Sequence, residues 1–169
     1  SEDMDMFVYG CPRVLRNLNF FQNKVCLYDS FEESIENSRS KLNKILNRLV
    51  EKSRINDEEK NNILNNITFS NNLSEIQESD LVIEAIIEDL SIKKELFKEI
   101  EKLVSKSCII ATNTSSLSVA SIASACNDPS RVIGIHFFNP APLMPLVEII
   151  PSVQTSIETQ EKARDIINQ

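Results

Sequence analysis

Leu81-Val-Ile-Glu-Ala85, residues 91 to 104, and Cys108-Ile-Ile-Ala-Thr112 decide the fold. The first and third segments read as continuous apolar strands. The middle one, with Ile92, Leu96, Ile100 and Leu103 at helical spacing, reads as a helix. A strand that is apolar throughout has no side to turn to water. Two such strands joined by a helix belong to a parallel sheet covered on both faces.

The same alternation continues outward in both directions. Toward the N-terminus, Met6-Phe-Val-Tyr-Gly10 reads as a short strand and residues 12 to 22 as a weak helix, and Lys24-Val-Cys-Leu-Tyr-Asp29 reads as a strand ending in an acid. Ser30 and Glu33 have the spacing of a capping box, opening a long helix with Ile35, Leu42, Ile45, Leu46 and Leu49 on one face and an end near Lys52. Asn56-Asp57 starts a second helix reaching about Leu64, and Ile67-Thr-Phe-Ser70 reads as the next strand, so the two helices form a hairpin inserted into the sheet order. Toward the C-terminus, Leu117 to Ala125 reads as a helix, and the run before His136 reads as a buried strand. Pro140, Pro142 and Pro145 force a rigid turn, Leu146 to Ile150 reads as a strand, and Thr155 with Glu158 caps a final helix. The expectation is α/β: one doubly wound, mostly parallel sheet with an inserted helical hairpin, in a single domain over residues 1–169.

Composition narrows the function classes. The 41% hydrophobic content suits a globular core, and the formal charge of −7 argues against non-specific binding to nucleic acid or to an anionic membrane surface. No apolar run reaches bilayer-spanning length, and the acidic start Ser1-Glu-Asp-Met-Asp resembles neither a signal peptide nor a transit peptide; the expected location is the cytoplasm. Cys11, Cys26, Cys108 and Cys126 lack paired spacing and read as buried thiols, with no metal site expected. Gly10 and Gly134 are the only glycines, so a phosphate-cradling loop has little raw material.

His136 is the only histidine, and Glu148 follows it by twelve positions across the proline turn. Two strands joined by a stiff turn can hold an imidazole against a carboxylate. That arrangement fixes the ring tautomer and stabilises the imidazolium of a histidine that takes a proton from an alcohol. A satisfied core histidine is the other reading of the same spacing. Asn113-Thr114-Ser115-Ser116, following a buried strand, by itself indicates only a turn and a helix cap.

Three motifs in one order, Asp80-Leu-Val-Ile-Glu-Ala-Ile-Ile-Glu-Asp89, Asn113-Thr-Ser-Ser-Leu117 and His136-Phe-Phe-Asn-Pro-Ala141, give the chain its resemblance to the nucleotide-binding half of the 3-hydroxyacyl-CoA dehydrogenases, from about Val25 onward. The resemblance implies a Rossmann-like fold, NAD as cofactor, an acyl-CoA substrate, and reversible oxidation of an L-3-hydroxyacyl-CoA to the 3-ketoacyl-CoA in fatty acid or butyrate metabolism. It implies catalytic roles for His136 as base, Glu148 as its partner and Ser115 as the hydroxyl beside the substrate oxygen. Around the cofactor it places Gly10 in the phosphate loop, Asp29 on the adenosine ribose, Glu88 and Lys93 along the crevice, and Asn113 and Asn139 near the nicotinamide. On charge patterning alone Glu88, Lys93, Lys94 and Glu95 are all surface residues.

The chain departs from that family at both ends. With Gly10 as the first loop glycine, Pro12 and Leu15 take the places of the second and third, and the 19 positions from Gly10 to Asp29 are fewer than the resemblance implies. Arg13 offers a charge for the phosphates, or is a solvated helix-start residue. No counterpart is expected for the family's second, helical domain, which dimerises full-length members, so this chain is expected to be a monomer. A cofactor-free relative serving as a binding or structural module is the alternative, as is an ordinary domain whose first twenty or so residues are altered.

Overall fold

A computed structural model describes residues 24–138 and 146–168. The expected strand Met6–Gly10, the helix over residues 12–22, the loop near Gly10, Cys11, Asn139 and the three prolines of the turn lie outside the described residues.

The chain alternates strands and helices as expected. β1 (Val25–Tyr28) leads into α1 (Glu32–Glu51) and α2 (Asp57–Asn65), and the chain returns as β2 (Ile67–Ser70), parallel to β1 with Val25 opposite Ile67. The two helices are the inserted hairpin. After a 3-10 turn at Leu73–Ile76 come β3 (Leu81–Glu84), α3 (Leu90–Leu103), β4 (Ile109–Thr112), α4 (Val119–Ala123), β5 (Val132–Phe137), β6 (Val147–Pro151) and α5 (Ile157–Ile167). Among the described residues the one sheet expected is two: the β1–β2 pair, and a four-stranded sheet in which β3, β4 and β5 run parallel in that order and β6 closes the edge antiparallel to β5.

The central strands are covered on both faces, which is why their sequences show no polar alternation. Cys108, Ile110 and Val132 face α3 and α4 through Phe97, Ile100, Val119 and Ile122, whereas Ile109, Ala111, Ile133 and Ile135 face α5 through Ala163 and Ile167. A third cluster, Leu42, Leu46 and Ile67, seats α1 and α2 on the β1–β2 pair. Gly134 is needed where it stands. A Cβ there would meet Ile150 Cβ and Val119 Cγ2 at 3.0 Å each, closer than side-chain atoms normally approach.

Several local readings change. Ser30 is not the cap of α1: Phe31 occupies that position without a capping side chain, because Asp29 Oδ1 accepts the Phe31 N–H at 2.8 Å and turns the chain first. The α5 cap moves from Thr155 to Ser156, whose hydroxyl accepts from the Thr159 N–H, since Thr155 instead donates to Val132 O at 2.6 Å. The helix expected from Leu117 shrinks to Val119–Ala123, the preceding residues being held in a turn. The buried stripe of α3 is Lys93, Phe97 and Ile100, not Ile92, Leu96, Ile100 and Leu103; Ile92 is 42% exposed. Cys26 is half-buried rather than buried. α2 starts at Asn56 as expected, closed by a capping box of Asn56 and Glu59.

α1 stops in a Schellman turn. The Ser53 N–H donates to Val50 O and the Arg54 N–H to Leu49 O, which requires the positive φ of 51° found at Ser53.

Candidate active site

Residue pairing explains why His136 and Glu148 meet. They are directly opposed on the antiparallel β5–β6 pair, so twelve positions of sequence become one cross-strand contact. His136 Nδ1 lies 2.9 Å from Glu148 Oε2, in line for a ring N–H donating to the carboxylate. The imidazole is 18% exposed and the carboxylate 47%, so the pair is partly open to solvent. The His136 ring also packs against Phe138, centroid to centroid 4.9 Å.

The registers place this pair within a wider pattern. Glu84, Thr112, Gly134 and Ile150 form one rung across β3, β4, β5 and β6, and His136 with Glu148, two residues further toward the C-terminal ends of the parallel strands, is the next pair on the same face. Ser115 lies just beyond the end of β4, the parallel neighbour of β5, and is exposed. Sheet order alone therefore brings Ser115 and His136 out at the same edge. Asn113 is buried, and its Oδ1 accepts the Phe137 N–H at 3.1 Å, which straps the Ser115 turn to the residue after His136.

Glu88 and Lys93 occupy the loop after β3 and the first turn of α3. Charge patterning puts Lys93 at the surface, yet its side chain is completely buried. Nζ lies 2.6 Å from Glu84 Oε1, 3.2 Å from Glu88 Oε2 and 3.2 Å from Ile86 O, an acceptor for each of its three protons. Glu88 is 28% exposed, and its Oε1 accepts from the Thr114 hydroxyl, the Ser116 hydroxyl at 3.0 Å and the Ser116 N–H at 3.3 Å. Burial pushes the Glu88 pKa up, but these hydrogen bonds and the Lys93 charge outweigh it and bring the pKa down to about 2. Glu88 is thus a fixed anion at neutral pH.

Asp29 follows β1 in the two-stranded β1–β2 pair, its N–H donating to Ser70 O at 3.2 Å. Gly10 and Asn139, the remaining expected site residues, lie outside the described residues. Reading by residue type missed Glu84, Thr112, Thr114 and Ser116. The signal for Glu84 was available: a charged residue inside an otherwise apolar strand has to find a buried counter-charge.

The thiols do not belong to this chemistry. Burial pushes Cys108 and Cys126 up to about 11, which keeps them protonated and unreactive. Among the described residues, no group of three or more His, Cys, Asp or Glu could hold a metal ion.

An α/β sheet with polar groups gathered at the C-terminal ends of its parallel strands defines the class of the nucleotide-binding dehydrogenase domains. The chain belongs to the 3-hydroxyacyl-CoA dehydrogenase family, whose NAD binding domain matches residues 17–169. A 3-hydroxybutyryl-CoA dehydrogenase of Clostridioides difficile is 42% identical over 132 residues, which are 78% of this chain and 47% of that protein. A probable 3-hydroxybutyryl-CoA dehydrogenase of Bacillus subtilis is 42% identical over 135 residues, 80% of this chain and 47% of that protein. The solved structure of the 3-hydroxybutyryl-CoA dehydrogenase of Escherichia coli superposes with a TM-score of 0.87 at 30% identity, covering 94% of this chain and 34% of that one. The chain therefore spans about half the length of the curated relatives it matches. No described helix is long and apolar enough to cross a membrane.

Proposed function

We propose that this chain is the cofactor-binding and proton-transfer half of an NAD-dependent L-3-hydroxyacyl-CoA dehydrogenase. The observation that carries the reading is the His136–Glu148 pair, 2.9 Å apart, on the rung that opens onto the strand ends where Ser115 also emerges. With Glu148 on Nδ1, the imidazole is held in the tautomer that leaves Nε2 to accept a proton. His136 takes the proton of the substrate's C3 hydroxyl, Glu148 stabilises the imidazolium that results, and the Ser115 hydroxyl orients the substrate oxygen. In the reverse direction His136 returns the proton.

The donor set fits a dinucleotide. Asp29, a carboxylate at the end of β1, accepts hydrogen bonds from the adenosine ribose hydroxyls and repels a 2′-phosphate, which selects NAD over NADP. Glu88 and Asn113 would stand on the nicotinamide side, with Lys93 acting there through Glu88. NAD, when bound, supplies the hydride acceptor. The free thiols of Cys26, Cys108 and Cys126 suit a reducing compartment, and we assign the chain to the cytoplasm, as a monomer in isolation.

Calorimetric titration with NADH and with NADPH tests the reading. Saturable NADH binding with NADPH weaker by at least about tenfold is the expected result. No saturable NADH binding would overturn it in favour of a cofactor-free relative.

A further inference from the structure

We propose that Glu84 is a positioning residue of this site, holding through Lys93 and Thr112 the turn that carries Ser115. The inference rests on the dehydrogenase reading for its purpose, but not for its geometry.

Glu84 is completely enclosed, and both of its oxygens are engaged. Oε1 accepts from Lys93 Nζ at 2.6 Å and from the Ile86 N–H at 2.7 Å, and Oε2 accepts from the Thr112 hydroxyl at 2.8 Å. Such a carboxylate touches neither cofactor nor substrate, so whatever it does is done through its neighbours. Two routes leave it. Along one, Lys93 reaches Glu88, and Glu88 Oε1 accepts from Thr114 and Ser116, the residues on either side of Ser115. Along the other, Thr112 Oγ1 accepts the Thr114 N–H at 3.3 Å, and Thr114 Oγ1 accepts the Leu117 N–H at 2.9 Å. Both routes converge on the same turn.

Stability alone does not account for this arrangement. Desolvating one ammonium and a carboxylate costs roughly what their attraction returns, and apolar side chains of similar volume commonly serve as well or better. What apolar side chains cannot do is hold Glu88 at a fixed place. The Glu84–Lys93 pair supplies a rigid point on β3 and α3 from which a turn between β4 and α4 is hung.

The test separates holding from stability. Glu84→Leu combined with Lys93→Met removes both charges together, whereas Glu84→Gln keeps the side-chain shape and leaves Lys93 its Glu88 counter-ion. Chemical unfolding, amide hydrogen exchange at Thr114 and Leu117, and NADH titration are measured on the full chain. The double variant is expected to unfold near the wild-type denaturant midpoint, while Thr114 and Leu117 exchange about tenfold faster and NADH affinity falls by a similar factor. Glu84→Gln is expected to keep wild-type exchange at both amides. Unchanged exchange in a folded double variant would overturn the proposal. If the double variant does not fold, Thr112→Val decides, because it cuts one route only: severalfold faster exchange at Thr114 supports the proposal, and wild-type exchange there overturns it. A wild-type chain that binds no NADH would defeat the dehydrogenase reading, yet the exchange data would still show whether Glu84 holds the turn.

Discussion

The molecule sets a nitrogen base against a carboxylate at two places on one face of its four-stranded sheet, two residues apart in strand register, with opposite outcomes. Glu84 and Lys93 are both fully buried at 2.6 Å; His136 and Glu148 are 18% and 47% exposed at 2.9 Å. The buried pair has both carboxylate oxygens and all three ammonium protons engaged and can only hold. The open pair is joined by a single hydrogen bond, at a ring that is partly open to solvent. The chemical groups are similar; their access to water separates anchor from acid–base device.

That contrast can be broken by mutation. The largest effect is expected from Lys93→Ala, which leaves Glu84 buried without its counter-charge: a loss of about 3–5 kcal/mol in unfolding free energy by urea denaturation. A loss below about 1 kcal/mol would mean that water reaches Glu84 and that the buried pair is no anchor. Acid should produce an intermediate effect. Glu88 is held near pKa 2 against an ordinary value of 4.5, so its contribution to stability is complete above about pH 4.5 and is lost as pH falls through 2. Glu88→Gln should flatten the stability–pH curve in that window, and an unchanged curve would remove Glu88 from the network. The smallest effect on folding is expected from His136→Gln at neutral pH, within about 1 kcal/mol, because exposed pairs contribute little. The same substitution should leave NADH affinity nearly intact while abolishing proton transfer. A large loss of stability would make the open pair a structural one after all.

The architecture was readable because parallel strands buried on both faces carry near-continuous apolar runs, and residues 81–85 and 108–112 both do. His136 and Glu148 were readable as a pair because an antiparallel partner strand brings residues twelve apart into register. The contact between Glu84 and Lys93 was only half legible. A charge inside the apolar strand at Glu84 calls for a buried partner, but charge patterning puts Lys93 at the surface and resemblance puts it on the crevice, whereas burial becomes tolerable only for the two together. The same misreading turned the inner stripe of α3 toward Ile92, leaving Phe97 unnoticed as its centre. The caps slipped by one residue where a side chain had a better local partner: Asp29 binds the Phe31 N–H, and Thr155 binds Val132 O.

Glu88 and Glu148 stand at the same end of the four-stranded sheet, on a chain whose formal charge is −7. A dinucleotide is itself an anion, so it approaches this end against a repulsive long-range field before any short-range contact can form. At 0.1 M salt the reach of that field shrinks to about 10 Å. Encounter should therefore quicken as salt is added, the reverse of what is seen when opposite charges steer ligand and protein together.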